Sequence, residues 1–108
     1  MTACEFGVVT TTVAKRDDAE RLAGLVLAEK LAACVQILSL DSRYVWKGET
    51  VREPEFMLLI KTRASLFEKV MARIAQDHPY KTPELVATPF AAGASSYLDW
   101  IAQSTEAK

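Results

Sequence analysis

The sequence predicts an α+β fold, a ferredoxin-like β-α-β-β-α-β sandwich with a long hairpin between its second and third strands and an extra C-terminal helix. Three observations predict it. Runs rich in β-branched residues alternate with stretches of helical periodicity in that order. The segment from Ala32 to Thr62 reads as two strands folded back at Lys47-Gly48-Glu49. No linker-like composition interrupts the chain, so residues 1–108 form one domain, long enough to bury roughly two-thirds of the surface of its unfolded form.

Each element has its own signal. Glu5 to Thr12 carries the β-branched residues of a first strand. In the following DDAERLAGLVLAEKL, Asp17 and Glu20 have the spacing of a capping box, and Leu22, Leu25 and Val26 keep one helical face apolar until about Leu31. Cys34 to Trp46 is the outgoing arm of the hairpin and Val51 to Thr62 the returning one. Each is about a dozen residues, roughly twice an ordinary strand. Pro54 cannot donate to a ladder, so it marks an edge or a bulge. Ser65 and Glu68 form a second capping box ahead of Leu66, Val70 and Ile74, and Pro79 stops that helix by Asp77 or His78. Glu84 to Phe90 reads as the last strand, and Ser96 caps a helix carrying Tyr97, Leu98, Trp100 and Ile101.

Composition removes several functions. Thirteen basic and fourteen acidic residues, with no basic stripe, leave no electrostatic footprint for nucleic acid or an anionic membrane. RNA-recognition domains share this element order but need an aromatic-rich third strand, and here that strand reads EPEFMLLIKT. The start MTACEFGVVT lacks a signal-peptide pattern and no apolar run is long enough for a membrane span, so the expectation is a cytoplasmic protein with Cys4 and Cys34 as reduced thiols. No nucleophile elbow or glycine-rich phosphate loop is present, so no enzyme activity and no organic cofactor are expected.

The residues that can carry chemistry each have a structural reading as well. Cys34 on an apolar strand serves as a small core residue or as a soft metal ligand. His78, the single histidine, ends a helix or ligates an ion. Tyr80 is fixed between Pro79 and Pro83, Lys61 ends a strand, Glu84 begins one, and Trp46 stands near the tip of the hairpin.

With AACVQI (32–37), SRYVWKGE (42–49), LLIKT (58–62), HPYKTPEL (78–85) and YLDWI (97–101) in view, the chain resembles the CutA family, the divalent-cation tolerance proteins. The resemblance covers nearly the whole length. It implies a tight homotrimer with hairpins packed between neighbours and a tolerance role towards copper or another divalent cation. Cys34 and His78 are then the metal positions, with Trp46, Lys61, Tyr80 and Glu84 lining an intersubunit cleft. Similar trimers among PII-like signalling proteins bind small ligands in such clefts. Two residues depart from the family pattern: Gln36 stands for a common asparagine and Lys81 for a common acidic residue.

Overall fold

A computed structural model of the chain describes residues 2–105. The observed order is β1 (Phe6–Val13), α1 (Arg16–Ala28), β2 (Cys34–Trp46), β3 (Glu49–Arg63), α2 (Phe67–Asp77), β4 (Val86–Pro89) and α3 (Ser95–Ser104), with short 3₁₀ turns at Ala3–Glu5 and Ala64–Leu66. All strands belong to one antiparallel sheet in the order β2-β3-β1-β4. This is the predicted ferredoxin-like arrangement with its extra helix.

Strand alternation sorts the sheet into two faces. Val9 and Val13 of β1 lie on the same face as Leu58 and Ile60 of β3, and all four are buried with Leu22 and Val26 of α1 and Val70 and Ile74 of α2. Each such side chain contributes about 1.5–3 kcal/mol through burial. The other face is covered at one end only. There Phe6 packs on Leu98 and Ile101 of α3. Arg63 secures that helix, donating to the Ala102 carbonyl at 2.7 Å and to Thr105 Oγ1 at 2.9 Å. Beyond α3 this second face stays open, with Leu38 and Val86 exposed upon it.

The hairpin is longer than the sheet can support. β2 and β3 pair without a break from Cys34↔Lys61 to Trp46↔Glu49, but β1 reaches only Val13↔Phe56. Pro54 lies in the part of β3 that has β2 as its sole neighbour. It is accommodated by a free edge, and the register shows no bulge there. The turn has both central residues at positive φ, Lys47 at 51° and Gly48 at 79°, as a two-residue hairpin requires.

The helix starts differ from expectation. The N-cap positions fall on Lys15, Leu66 and Ala94, none of which makes a side-chain cap. Asp17 and Ser96 lie within their helices, and Ser65 within the 3₁₀ turn that leads into α2. Asp17 and Asp18 therefore act on the helix dipole of α1 and not as caps. Glu84 and Leu85 also fall outside β4, which is shorter than predicted.

The C-terminus of α1 does close on itself. Lys30 adopts φ 59°, its amide bonds to the Leu27 carbonyl, and the Leu31 amide bonds to the Val26 carbonyl at 2.9 Å. This is the Schellman arrangement, formed with lysine where glycine is usual. Lys30→Gly should remove the left-handed strain and raise stability by about 1 kcal/mol, read from the urea midpoint at fixed protein concentration.

Gly7 carries the opposite constraint. A Cβ there would meet the Thr88 carbonyl oxygen at 2.3 Å and the Phe67 ring at 2.6 Å. Gly7→Ala should destabilise the chain by about 3 kcal/mol in the same denaturation assay, because backbone and ring must both shift.

Candidate functional site

Pro79 sets the geometry of the site. It cannot continue α2 and forces the residue before it out of helical conformation, so His78 is extended at φ −74°, ψ 134°. The last carbonyl of α2, on Asp77, accepts a hydrogen bond from Arg21 at 3.0 Å. The corner from 78 to 84 thereby folds back over the end of β1.

His78 fastens this corner. Its Nδ1 accepts the Tyr80 amide at 3.0 Å, which fixes the proton of the neutral ring on Nε2. Nε2–H donates to the Thr12 carbonyl at 3.0 Å, with the Thr11 hydroxyl at the same distance. Both nitrogens are engaged, so metal ligation at Nδ1 would cost the Tyr80 amide its acceptor. Burial pushes the imidazole pKa below its ordinary 6.5, partly opposed by the Thr12 bond and the charge of Asp18.

From this corner the Tyr80 ring lies tilted against His78, 5.1 Å between centroids, and its hydroxyl donates to Glu55 Oε2 at 2.6 Å. Glu55 is buried, 6% exposed. One step along the same face, Tyr44 donates to Glu53 Oε1 at 2.7 Å, and Thr10 donates to Glu84 Oε2 at 3.0 Å. Burial, then the bond to Glu55 and the nearby carboxylate charges, hold the Tyr80 phenol well above its usual pKa, so it remains a donor. The hydrogen bond to Glu53, above all, raises that of Tyr44.

These groups surround a cavity of about 590 Å³ where the hairpin leaves the sheet, lined among others by Tyr44, Trp46, Glu53, Glu55, Tyr80 and Glu84. Exposed Lys81 also lines it. Of the residues singled out in the sequence, Trp46, Tyr80 and Glu84 meet here, and His78 stands behind Tyr80. Glu53, Glu55 and Tyr44 were not singled out as site residues. The signal that could have found them is the period of two, which sets Tyr44 with Trp46 and Glu53 with Glu55 on one face of the hairpin.

Cys34 and Lys61 lie elsewhere. They are direct cross-strand partners, Cys34 is a half-buried free thiol, and Lys61 donates to Gln36 Oε1 at 2.9 Å. His78 is anchored at Thr11 and Thr12, opposite Leu58 and Met57. That places it about 10–13 Å from the Cys34–Lys61 level along the strand direction, on the far side of β3. Coordinate bonds of about 2.0–2.3 Å cannot join Cys34 and His78 of one chain to a single ion. Among the described residues no group of three or more His, Cys, Asp or Glu could hold a metal.

Loss of the neutral-ring bonds gives a pH test. The folded state resists protonation of His78 more than the unfolded chain does. Stability is therefore complete above the ordinary histidine value of 6.5 and falls as pH drops below it, until the folded-state imidazole titrates in turn. Urea midpoints between about pH 5 and 8 should show this slope in the parent chain. It should be missing in His78→Gln, and an equal slope in that variant would assign it to other groups.

Residues 7–104 match the family described as CutA1 divalent ion tolerance protein. Among curated relatives, the chain is similar to "Divalent-cation tolerance protein CutA" of Thermus thermophilus, 43% identical over 99 residues that make up 91% of this chain and 96% of that protein. It is 40% identical over 99 residues to "Protein CutA 1, chloroplastic" of Oryza sativa, again 91% of this chain but 56% of that longer protein. A solved structure, described as the periplasmic divalent cation tolerance protein CutA from Archaeoglobus fulgidus, superposes with a TM-score of 0.90 at 35% identity. That match covers 94% of this chain and 99% of the other.

Proposed function

Because the chain belongs to the CutA1 divalent ion tolerance family, we propose that it acts as a non-enzymatic homotrimer that confers cation tolerance in the cytoplasm by binding copper or another divalent cation. The observation that carries the assembly is the hairpin. Glu49 to Glu55 of β3 have a neighbour on one side only, and Val45 and Trp46 at the tip are 74% and 54% exposed. Among the described residues the outer edge of β2 is also unpaired along its whole length. Exposed strand edges and aromatic tips are liabilities that association between copies removes.

For the cation, Cys34 is the first ligand to consider. Its thiolate is soft, suits copper, and lies half-buried on the open face without a disulfide. His78 is a ligand only at the expense of the Tyr80 amide bond, so its first role is to hold the corner. Within one chain the donor set is incomplete, and the remaining ligands come from neighbouring copies or water. Relatives carry chloroplastic and periplasmic names, so the cytoplasmic compartment belongs to the proposal.

A second reading, a PII-like module that binds a small ligand in an intersubunit cleft, is favoured by the cavity that gathers Trp46, Tyr80 and Glu84. Lys61 stands outside the lining of that cavity, so any anion it holds would bind at the Cys34 end of the face.

Native mass spectrometry of the chain, in a Cys4→Ser background, with and without added copper, tests both parts. A trimer with a defined copper number that is lost in Cys34→Ser and kept in His78→Gln is the expected result. A monomer would overturn the assembly. A trimer whose copper number is unchanged by Cys34→Ser, or is zero, would overturn the ligand assignment.

A further inference from the structure

The three carboxylates of the cavity have an unusual set of partners. Among the described residues, Glu53, Glu55 and Glu84 accept hydrogen bonds only from neutral hydroxyls, those of Tyr44, Tyr80 and Thr10. Among the described residues no lysine or arginine forms an ion pair with any of them. Two exposed cations, Lys81 and Arg43, also stand on the lining against the three acids, and neither is within ion-pair distance of them. Of the three only Glu55 is buried, Glu53 being half-buried and Glu84 exposed, and a buried charge is costly until an opposite charge joins it.

Glu55 points to where that charge belongs. The residue is more than nine-tenths buried, yet it lines the cavity. Tyr80 satisfies Oε2, while Oε1 has no hydrogen-bond partner among the described residues and is not sealed from solvent. One oxygen of a buried carboxylate is thus open to the cavity. Tyr44, Tyr80 and Trp46 supply aromatic rings around the same space.

From this geometry we propose that the cavity is a binding site for a small organic ammonium ion, which donates to Glu55 Oε1 and lies against the Tyr44, Tyr80 and Trp46 rings. Carboxylate and aromatic face together favour an alkylammonium group. The volume of about 590 Å³ suits a small molecule. A bare metal ion fits less well, because the carboxylates do not converge into a group able to hold one. The inference deepens the small-ligand reading above by naming the ligand class, and it is independent of copper at Cys34.

The test uses three probes of one shape and different charge: benzylammonium, benzyl alcohol and benzoate. Each is titrated into the full ¹⁵N-labelled chain while the Trp46 indole and Tyr80 amide signals are followed. Benzylammonium should shift both signals saturably and the other two should not. Glu55→Gln should weaken its binding about tenfold. Trp46→Ala, outside the core of the chain but at the hairpin tip proposed to meet a neighbouring copy, should weaken it as well. Once native mass spectrometry shows its assembly state unchanged, that variant decides the matter if Glu55→Gln fails to fold. Benzoate or benzyl alcohol binding as well as benzylammonium would overturn the ligand class and leave a small-ligand site standing. No binding by any probe would overturn both. Benzylammonium binding unchanged in both variants would place it outside this cavity and overturn the proposal.

Discussion

A strand of fifteen residues between neighbours of thirteen and eight cannot be paired along its whole length on both sides. That mismatch in β3 organises the molecule. Where β1 and β2 both pair with it, Leu58 and Ile60 are buried beneath the helices. Where β1 has ended, β3 carries Glu53 and Glu55 into a two-stranded ribbon, and proline is tolerated at 54. One strand therefore supplies the core at one end and the carboxylates of the cavity at the other. The period of two keeps the two tasks on opposite faces, because Glu53, Glu55 and Met57 alternate with Phe56 and Leu58.

The ribbon alone would leave those carboxylates in water. Glu55 is buried beneath the corner between α2 and β4, and that corner is held by a relay of short polar contacts. The Thr12 carbonyl takes the proton of His78, His78 takes the Tyr80 amide, and Tyr80 gives its hydroxyl to Glu55. The relay runs from the backbone of β1 through one imidazole to a side chain of β3, across the step where β1 stops. Neutral imidazole is the only form that can both accept and donate here, so desolvation, which disfavours the charged ring, and hydrogen bonding agree about its state.

How far the sequence could reveal this depended on whether a feature was local. The order of elements, the hairpin turn at Lys47-Gly48 and the end of α2 before Pro79 were legible, because periodicity, glycine and proline act on their own neighbourhood. The capping boxes were misread for a related reason. Asp17, Ser65 and Ser96 have the right spacing, but a cap forms only where the backbone turns out of the helix, and packing moved that turn to Lys15, Leu66 and Ala94. Tyr80, Glu84 and Trp46 were legible as unusual residues, while their meeting, which joins three segments distant in sequence, was implied only by the family resemblance and not by local pattern. In the sequence Glu55 is one more charge on a strand, next to proline. Only burial distinguishes it, and burial is a property of the folded corner above it.

The open face ends up chemically divided along its length. At the α3 end stand the Cys34 thiol, the Lys61 ammonium and the Gln36 amide, and at the hairpin end stand carboxylates and aromatic rings. A soft thiolate favours copper-like ions, and oxygen donors discriminate little in their favour. Carboxylates beside aromatic rings favour diffuse organic cations that gain nothing from a thiol. The strand pitch of about 3.3 Å per residue keeps these two environments several residues apart on a rigid sheet. A ligand at one end therefore need not displace a ligand at the other, and the His78 relay, which reaches only the hairpin end, can tune the second without touching the first.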